Sequence, residues 1–204
     1  MKIALAQLNY HTGNFELNSQ KIIDTINRAK SEGTDLVIFA ELCLTGYPPR
    51  DFLEFADFLK QSESWLSRIA SHCTGIAAIV GAPTVNEAEF GKPLFNSAVV
   101  MQNGEISDII NKSLLPNYDV FDEYRYFEPA RDTSCITVKG VKIALTICED
   151  LWNLGEKNLY NYTPMDDLIK EKPQLLINIA ASPFSHTHIE VRKQILIDNV
   201  TMYK

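Results

Sequence analysis

The chain has 204 residues, of which 46% are hydrophobic and 22% are charged, and its formal net charge is −7. This composition predicts one folded domain and excludes a repeat or low-complexity protein. The negative charge argues against a nucleic-acid partner, because phosphate binding requires clustered Lys and Arg. No apolar run reaches the roughly 18 residues of a membrane span, and the opening segment turns polar too early for a signal peptide. We therefore expect a cytoplasmic protein with a small-molecule substrate and no membrane partner.

The cysteine and histidine spacings do not indicate a metal site. The four cysteines are Cys43, Cys73, Cys135 and Cys148. They include no C-x-x-C pair, so neither a zinc site nor a disulfide framework is predicted. His186 and His188 lie two residues apart, but a pair of histidines with no matching third ligand is more typical of a polar loop. We expect no metal in this domain.

The first half of the chain alternates strands and helices. Residues 2–8 form a predicted strand, and residues 15–31 follow with apolar side chains at helical spacing. Residues 35–42 are a nearly continuous apolar strand of the kind that is covered on both faces. A helix over 51–72 then leads to a buried strand over 75–85. This order predicts an α/β fold with helices outside a sheet.

The second half adds hairpins to that pattern. Residues 94–112 predict two strands that turn at Asn103-Gly104, and residues 134–148 predict two more that turn at Lys139-Gly140. A short helix near 164–171 and a strand over 174–182 follow. An amphipathic helix ends the sequence, and its apolar residues are expected to pack against the sheet. Those residues are Ile189, Ile195, Leu196 and Val200.

Three chemically useful residues stand where apolar strands are predicted to end: Glu41, Lys112 and Cys148. Each has an ordinary alternative, since an acid or a lysine at a strand end is usually solvated and a lone cysteine is usually packed in the core. Sites in α/β proteins, however, form at strand ends. A thiol that attacks a carbonyl needs a base and a cation nearby, and these residues together meet that need.

Longer motifs surround these three residues. The segments FAELCLTGYPPRDFL, NKSLLPNYDVFDEYRYFEPA and TICEDLWN resemble the nitrilase superfamily of carbon–nitrogen hydrolases, and within it the amidase domains of glutamine-dependent NAD synthetases. The resemblance covers nearly the whole chain. It implies an αββα sandwich with mixed sheets and outer helices, formed by one hydrolase domain over residues 1–204. The family's domain continues with further strands beyond the last helix, so we expect this one to be truncated at its C-terminus.

The resemblance also implies roles for the strand-end residues. Cys148 matches the nucleophile that forms a γ-glutamyl thioester, and Glu41 matches the general base. Lys112 matches the lysine that stabilises the oxyanion, with the backbone N–H of Glu149 as a second donor. The resemblance therefore implies that the predicted strand stops at Cys148 because a strand-to-helix elbow places the sulfur of this residue in a pocket.

The residues that contact the substrate are implied in the same way. Tyr47 and Tyr118 match pocket positions, Glu149 matches a partner for the α-amino group, and Ser182 matches a contact to glutamine. Core packing for the tyrosines and a turn before Pro183 for the serine are the alternatives. The chain departs from the family at one position, because a histidine, His188, replaces the expected lysine. We predict His188 as a substrate contact, and Arg192 or Lys193 are the alternatives for binding the substrate carboxylate in place of that lysine.

The predicted function is glutamine hydrolysis that supplies ammonia for the ATP-dependent conversion of deamido-NAD to NAD. The amidase itself is expected to need no cofactor. The synthetase domain, whose Gly-rich S-G-G-x-D-S loop does not occur in these residues, would belong to the same longer chain and would need ATP and Mg²⁺. We also expect a homo-oligomer. Two alternatives stay open: a stand-alone amidase for another amide, and a catalytically silent α/β binding module.

Overall fold

The computed structural model describes residues 1–154, 159–183, 185–186 and 188–203, without the side chain of His188. It contains two mixed sheets with helices on their outer faces, which confirms the predicted α/β class and the αββα arrangement. The elements are β1 (Ile3–Leu5), α1 (Phe15–Ser31), β2 (Leu36–Ile38), a 3-10 helix (Arg50–Glu54), α2 (Ala56–Ser71), β3 (Ala77–Val85), β4 (Leu94–Gln102), β5 (Glu105–Asn111), α3 (Glu123–Tyr126), β6 (Ile136–Val138), β7 (Val141–Ile147), a 3-10 helix (Cys148–Leu151), α4 (Pro164–Leu168), a 3-10 helix (Ile169–Glu171), β8 (Leu175–Ile179) and α5 (His188–Met202).

The first sheet has the order β1-β2-β3-β4-β5 and the second has the order β6-β7-β8. Strands β1, β2 and β3 are parallel, whereas β4 and β5 are antiparallel to their neighbours. In the second sheet β6 is antiparallel to β7, and β8 is parallel to it. Both predicted hairpins are present, and their turns place Asn103-Gly104 and Lys139-Gly140 at positive φ. That backbone matches the right-handed twist of two antiparallel strands.

The apolar core lies in three layers. Between the sheets, Ile79 and Val100 of the first sheet pack with Ile143, Leu145 and Ile177 of the second. The outer face of the first sheet is covered by α1 and α2, and the outer face of the second sheet is covered by α4. Each fully buried aliphatic side chain stabilises such an arrangement by about 1.5–3 kcal/mol. The sandwich therefore holds the strand ends that carry the candidate site in fixed positions.

The two short parallel strands are shorter than the sequence predicted. The chain leaves β2 after Ile38 and crosses over β3, where a Cβ on Gly81 would lie 2.4 Å from both the carbonyl oxygen of Ala40 and the backbone nitrogen of Leu42. Only glycine permits this close approach. The segment that contains Glu41 is therefore a turn above the sheet rather than the end of a strand. The predicted helix over 51–72 is also divided, because Phe55 is extended.

The prediction for the last helix is wrong in its packing. Ile195 is half-buried against the outer face of the second sheet, but Ile189, Leu196 and Val200 are 55%, 42% and 53% exposed. The buried side chain is that of Asn199, whose Nδ2 donates a 3.0 Å hydrogen bond to the carbonyl oxygen of Leu151. A polar contact with the elbow, rather than an apolar stripe, therefore sets the orientation of α5. None of the helices in the described ranges is long and apolar enough to cross a membrane.

Candidate active site

The three predicted catalytic residues lie at one edge of the sandwich, where the chain leaves β2, β5 and β7. The Nζ of Lys112 is 2.7 Å from Oε1 of Glu41. The loop after β8 joins them, because the backbone N–H of Ala181 donates a 2.9 Å hydrogen bond to Oε2 of Glu41. The next residue, Ser182, has its Oγ 3.6 Å from the Sγ of Cys148. The segments that follow β2, β5, β7 and β8 thus converge on one site.

Lys112 is the positive centre of this site. Its side chain is fully buried, and its Nζ lies 2.7 Å from carboxylate oxygens of both Glu41 and Glu123. Burial alone would lower its pKa, but the charges of the two carboxylates raise the pKa of Lys112 well above its usual value. Lys112 is therefore a permanent ammonium group in a water-excluded position, where a charge acts more strongly than in bulk water.

Glu123 is a member of the site that the sequence reasoning missed. Its carboxylate accepts hydrogen bonds from the Tyr47 hydroxyl at 2.9 Å and from Nδ2 of Asn96 at 3.3 Å. The same Asn96 nitrogen donates to Glu41 at 2.8 Å. We call Glu41, Lys112, Glu123 and Asn96 the charged cluster. The only sequence signal for Glu123 was an acid inside the aromatic run YDVFDEYRYF.

The charged cluster contains two carboxylates and one ammonium group. Burial and the charge of Glu41 raise the pKa of Glu123, and Lys112 opposes that shift. A proton thus stays on Glu123 to a higher pH than on an ordinary glutamate, because two like charges cannot easily share a buried site. The Tyr47 hydroxyl, predicted as a substrate contact, is directed at Glu123, so in this structure it braces the cluster.

Cys148 stands at the elbow that was predicted. Strand β7 ends at Ile147, and a 3-10 helix begins at Cys148, whose φ of 43° is uncommon for a residue with a side chain. Burial and the charge of Glu41 raise the pKa of the Cys148 thiol to about 12, while Lys112 and Ser182 oppose this shift. The thiol is therefore protonated at neutral pH. A base must remove its proton before it can act as a nucleophile.

Asp150 connects the elbow to the segment that carries Lys112. Its Oδ1 accepts hydrogen bonds from the backbone N–H groups of Ser113 at 3.0 Å and Leu114 at 2.9 Å, and its Oδ2 accepts one from Ile147 at 2.9 Å. Burial raises the pKa of Asp150 to about 7, against the effect of these donors. Since Ser113 follows Lys112 directly, this carboxylate sets the spacing between the ammonium group and the thiol. The sequence did not predict this connecting role for Asp150.

Glu149 forms a second polar group beside the thiol. Its oxygens accept hydrogen bonds from the hydroxyl of Tyr118 at 2.8 and 2.9 Å and from that of Tyr160 at 3.2 Å. We call these three residues the carboxylate clamp. Glu149 and Tyr118 were predicted, whereas Tyr160 was missed because it lies in a loop with no periodic pattern. Burial raises the pKa of Glu149 above its usual value, and the hydroxyls and Lys112 oppose the shift.

One predicted contact cannot be placed. The side chain of His188 lies outside the described residues, so its proposed part in holding the substrate carboxylate stays a prediction. Arg192 and Lys193, the substitutes named above, lie on α5. Ser182, in contrast, lies beside the Cys148 thiol, and its contact to glutamine stays a prediction.

Known proteins are similar to this chain in sequence and fold. Residues 2–160 match the carbon-nitrogen hydrolase family. The chain belongs to this family. A relative named glutamine-dependent NAD(+) synthetase from Synechocystis sp. is 43% identical over 191 residues, which are 90% of this chain and 34% of that protein. Another of the same name from Thermotoga maritima is 36% identical over 197 residues, 96% of this chain and 32% of that protein. This carbon–nitrogen hydrolase thus spans about a third of the length of the curated relatives it matches.

Solved structures of carbon–nitrogen hydrolases share the fold. A glutamine-dependent NAD+ synthetase from Acinetobacter baumannii, in complex with ADP, matches 98% of this chain and 36% of its own with a TM-score of 0.87 and 31% identity. An amidase from Nesterenkonia sp. matches 98% of this chain and 72% of its own with a TM-score of 0.78. Its identity is 21%, so that likeness shows the fold alone.

Proposed function

We propose that this carbon–nitrogen hydrolase cleaves the side-chain amide of glutamine through a thioester on Cys148. The observation that carries the proposal is the buried Cys148 thiol at the edge of the sandwich where the Nζ of Lys112 and a carboxylate oxygen of Glu41 lie 2.7 Å apart. Nucleophilic attack on an amide needs those three functions within one site. The buried carboxylate of Glu149 next to the nucleophile favours an amide substrate that also carries a positive group.

In the first half-reaction, Glu41 takes the proton from the Cys148 thiol as the sulfur bonds to the amide carbon. The carbonyl oxygen becomes an oxyanion, which the Lys112 ammonium group and the backbone N–H of Glu149 stabilise. The tetrahedral intermediate then collapses: the C–N bond breaks, Glu41 returns its proton to the nitrogen, and ammonia leaves. The product on the enzyme is a γ-glutamyl thioester.

In the second half-reaction, Glu41 takes a proton from water, and the resulting hydroxide attacks the thioester carbon. The same donors stabilise the second oxyanion. The C–S bond then breaks, the sulfur regains a proton from Glu41, and glutamate leaves. Both oxygens of Glu41 are held by hydrogen bonds from Lys112, Asn96 and the N–H of Ala181, so the base stays in one orientation through both steps.

For the whole protein we propose that the released ammonia converts deamido-NAD to NAD in a synthetase domain of the same longer chain, with ATP and Mg²⁺ as its requirements. The support is that this chain matches about a third of proteins named glutamine-dependent NAD(+) synthetases. Tyr47, Tyr118, Ser182 and His188 are proposed to complete the glutamine pocket, with Tyr47 acting through Glu123.

A single substitution tests the proposal. In the complete gene product, Cys148→Ala should abolish glutamine hydrolysis and glutamine-dependent NAD synthesis, yet leave synthesis from added ammonium chloride nearly unchanged, because only the first reaction uses the thiol. Cys43→Ala is a matched control, since that buried cysteine contacts the backbone of Gly81 instead. Equal loss of both activities in Cys148→Ala would refute the proposal. Faster turnover of simple aliphatic amides than of glutamine would indicate the stand-alone amidase.

A further inference from the structure

Among the residues that the structure describes, Glu149 is a buried carboxylate that forms no salt bridge. The residue is 3% exposed, and the salt bridges within the described ranges do not include it. Buried carboxylates in folded proteins are normally paired with a cation, because an unpaired buried charge is costly. The position beside the nucleophile indicates that the partner is a cation of the bound substrate.

Two tyrosines fix the direction of that carboxylate. The single hydroxyl proton of Tyr118 is shared between the two oxygens in a bifurcated hydrogen bond, and Tyr160 donates to Oε1 only. An ionised carboxylate has about four acceptor positions. Two hydroxyl protons therefore serve Oε1 and only the shared one serves Oε2, so within the described residues Oε2 is the oxygen with more acceptor capacity left. The two donors come from different segments, and neither alone would prevent the carboxylate from rotating.

Asn153 fixes the segment that presents Tyr160. Its Nδ2 donates to the carbonyl oxygens of Tyr160 at 3.0 Å and Tyr162 at 2.9 Å, and its Oδ1 accepts from the N–H of Tyr160 at 3.2 Å. The asparagine is 5% exposed and follows the 3-10 helix that contains Glu149. The backbone of Tyr160 is therefore held by the same elbow that carries the carboxylate it contacts.

From this arrangement we propose that Tyr160 is a specificity-determining residue, which holds Glu149 in the orientation that receives the α-ammonium group of the substrate, and that Asn153 is the positioning residue behind it. The inference rests on the proposed glutaminase function and adds two residues to it. Tyr160 contributes nothing to bond cleavage itself. Its effect is confined to substrates that carry a positive group next to the carboxylate.

The test compares two amides that differ only in that group. Glutamine has an α-ammonium, and glutaramate, the monoamide of glutarate, is the same molecule without it. In the complete gene product, Tyr160→Phe should raise the KM for glutamine about tenfold, the scale of one hydrogen bond to a charged group, with little change in kcat. The kinetics of glutaramate hydrolysis should not change. The preference for glutamine therefore falls by the same factor.

Two further variants sharpen this result. Tyr162→Phe is the matched control, because that tyrosine shares the loop but donates its hydroxyl to Asp167 at 3.1 Å, and it should behave as the unmodified protein. Asn153→Asp keeps the side-chain shape but places a carboxylate against two carbonyl oxygens, so it should shift KM in the same direction as Tyr160→Phe. Thermal midpoints of all variants show whether each is folded.

The outcomes separate the inference from the function on which it rests. An unmodified protein that does not hydrolyse glutamine refutes both. If it does hydrolyse glutamine and Tyr160→Phe matches Tyr162→Phe, only the inference is overturned. An equal loss on both amides in Tyr160→Phe also overturns it, because that pattern means that the tyrosine supports the fold rather than the choice of substrate.

Discussion

The charged cluster and the carboxylate clamp both lie near the Cys148 thiol, and they differ in burial and in the elements that carry them. In the charged cluster, Lys112 and Glu41 are wholly buried, and the four members lie on β4, just after β5, on α3 and in the turn above β3. In the carboxylate clamp, Glu149 is buried but its donor Tyr118 is 40% exposed, and both tyrosines come from loops. Fixed charges serve bond cleavage, whereas a partly open loop pair can admit and select a ligand.

This difference predicts a separation of kinetic effects. Substitutions in the charged cluster should act on kcat, because its charges meet the oxyanion only as the reaction proceeds. Substitutions in the carboxylate clamp should act on KM, because the α-ammonium is the same in the ground state and the transition state. A charged-cluster variant that changes only KM, or a carboxylate-clamp variant that changes only kcat, would contradict this separation.

The largest effect after loss of the nucleophile is expected for Lys112→Met, which keeps the apolar stem and removes the charge. It should lower kcat about 100-fold or more, the scale of losing one oxyanion donor. The structure adds a second consequence, because Glu41 and Glu123 would face each other without their cation. We expect the free energy of unfolding to fall by about 3 kcal/mol as well.

Steady-state kinetics and chemical denaturation of the same samples check both parts of this prediction. Lys142→Met is a suitable control, since that lysine makes a 3.6 Å surface ion pair with Glu171 and should leave both quantities unchanged. A folded Lys112→Met protein with near-normal kcat would remove Lys112 from the mechanism.

The corresponding change in the carboxylate clamp is Glu149→Gln, which keeps the shape and removes the charge. It should raise the KM for glutamine about 30-fold, within the range expected when a hydrogen bond loses its charged acceptor, and change kcat much less. The KM for glutaramate should stay constant. A fall in kcat with constant KM would instead assign Glu149 to bond cleavage, and the two groups would then not differ in the kinetic parameter that they control.

The smallest effect is a dependence of KM on pH. Burial raises the pKa of Glu149, and the groups that face it are Tyr118, Tyr160, Lys112 and Glu41. The ionised carboxylate binds the α-ammonium and the protonated form does not. As pH falls from neutral into the mildly acidic range, the KM for glutamine should rise sooner than it would for a glutamate with an unshifted pKa.

The same titration with two references tests that explanation. The KM for glutaramate should not follow the acid limb, because this amide has no α-ammonium. Glu149→Gln should lack the limb altogether. An identical limb in Glu149→Gln would assign it to another group.

The sequence predicted that Glu41, Lys112 and Cys148 share one site because each stands where an apolar strand was predicted to end, and their catalytic roles stay predictions from the family resemblance. It predicted both hairpins from the turn residues Asn103-Gly104 and Lys139-Gly140 between strand-like runs. Glu123 could not be found this way, because its helix is only four residues long and its Tyr47 contact spans 76 positions. The position of Tyr160 could not be predicted either, because it depends on hydrogen bonds to Asn153 rather than on a periodic pattern in the sequence.

Packing of the last helix could not be predicted either. The apolar residues of α5 suggested a stripe directed at the sheet, but the bond from Asn199 to Leu151 turns another face inward. Similarly, β2 ends early because the chain crosses Gly81, a close approach that strand propensity does not register. Tertiary contacts overrode local preference at both places.

The proposed mechanism requires a covalent bond between Cys148 and the acyl group of glutamine, and peptide mass spectrometry of an acid-quenched reaction detects that bond. During steady turnover of glutamine, we expect a γ-glutamyl adduct on the peptide that contains Cys148 and none on the peptides of Cys43, Cys73 or Cys135. The adduct should disappear when glutamine is exhausted. Continued turnover in Cys148→Ala, or an adduct on a different cysteine, would show that Cys148 is not the nucleophile.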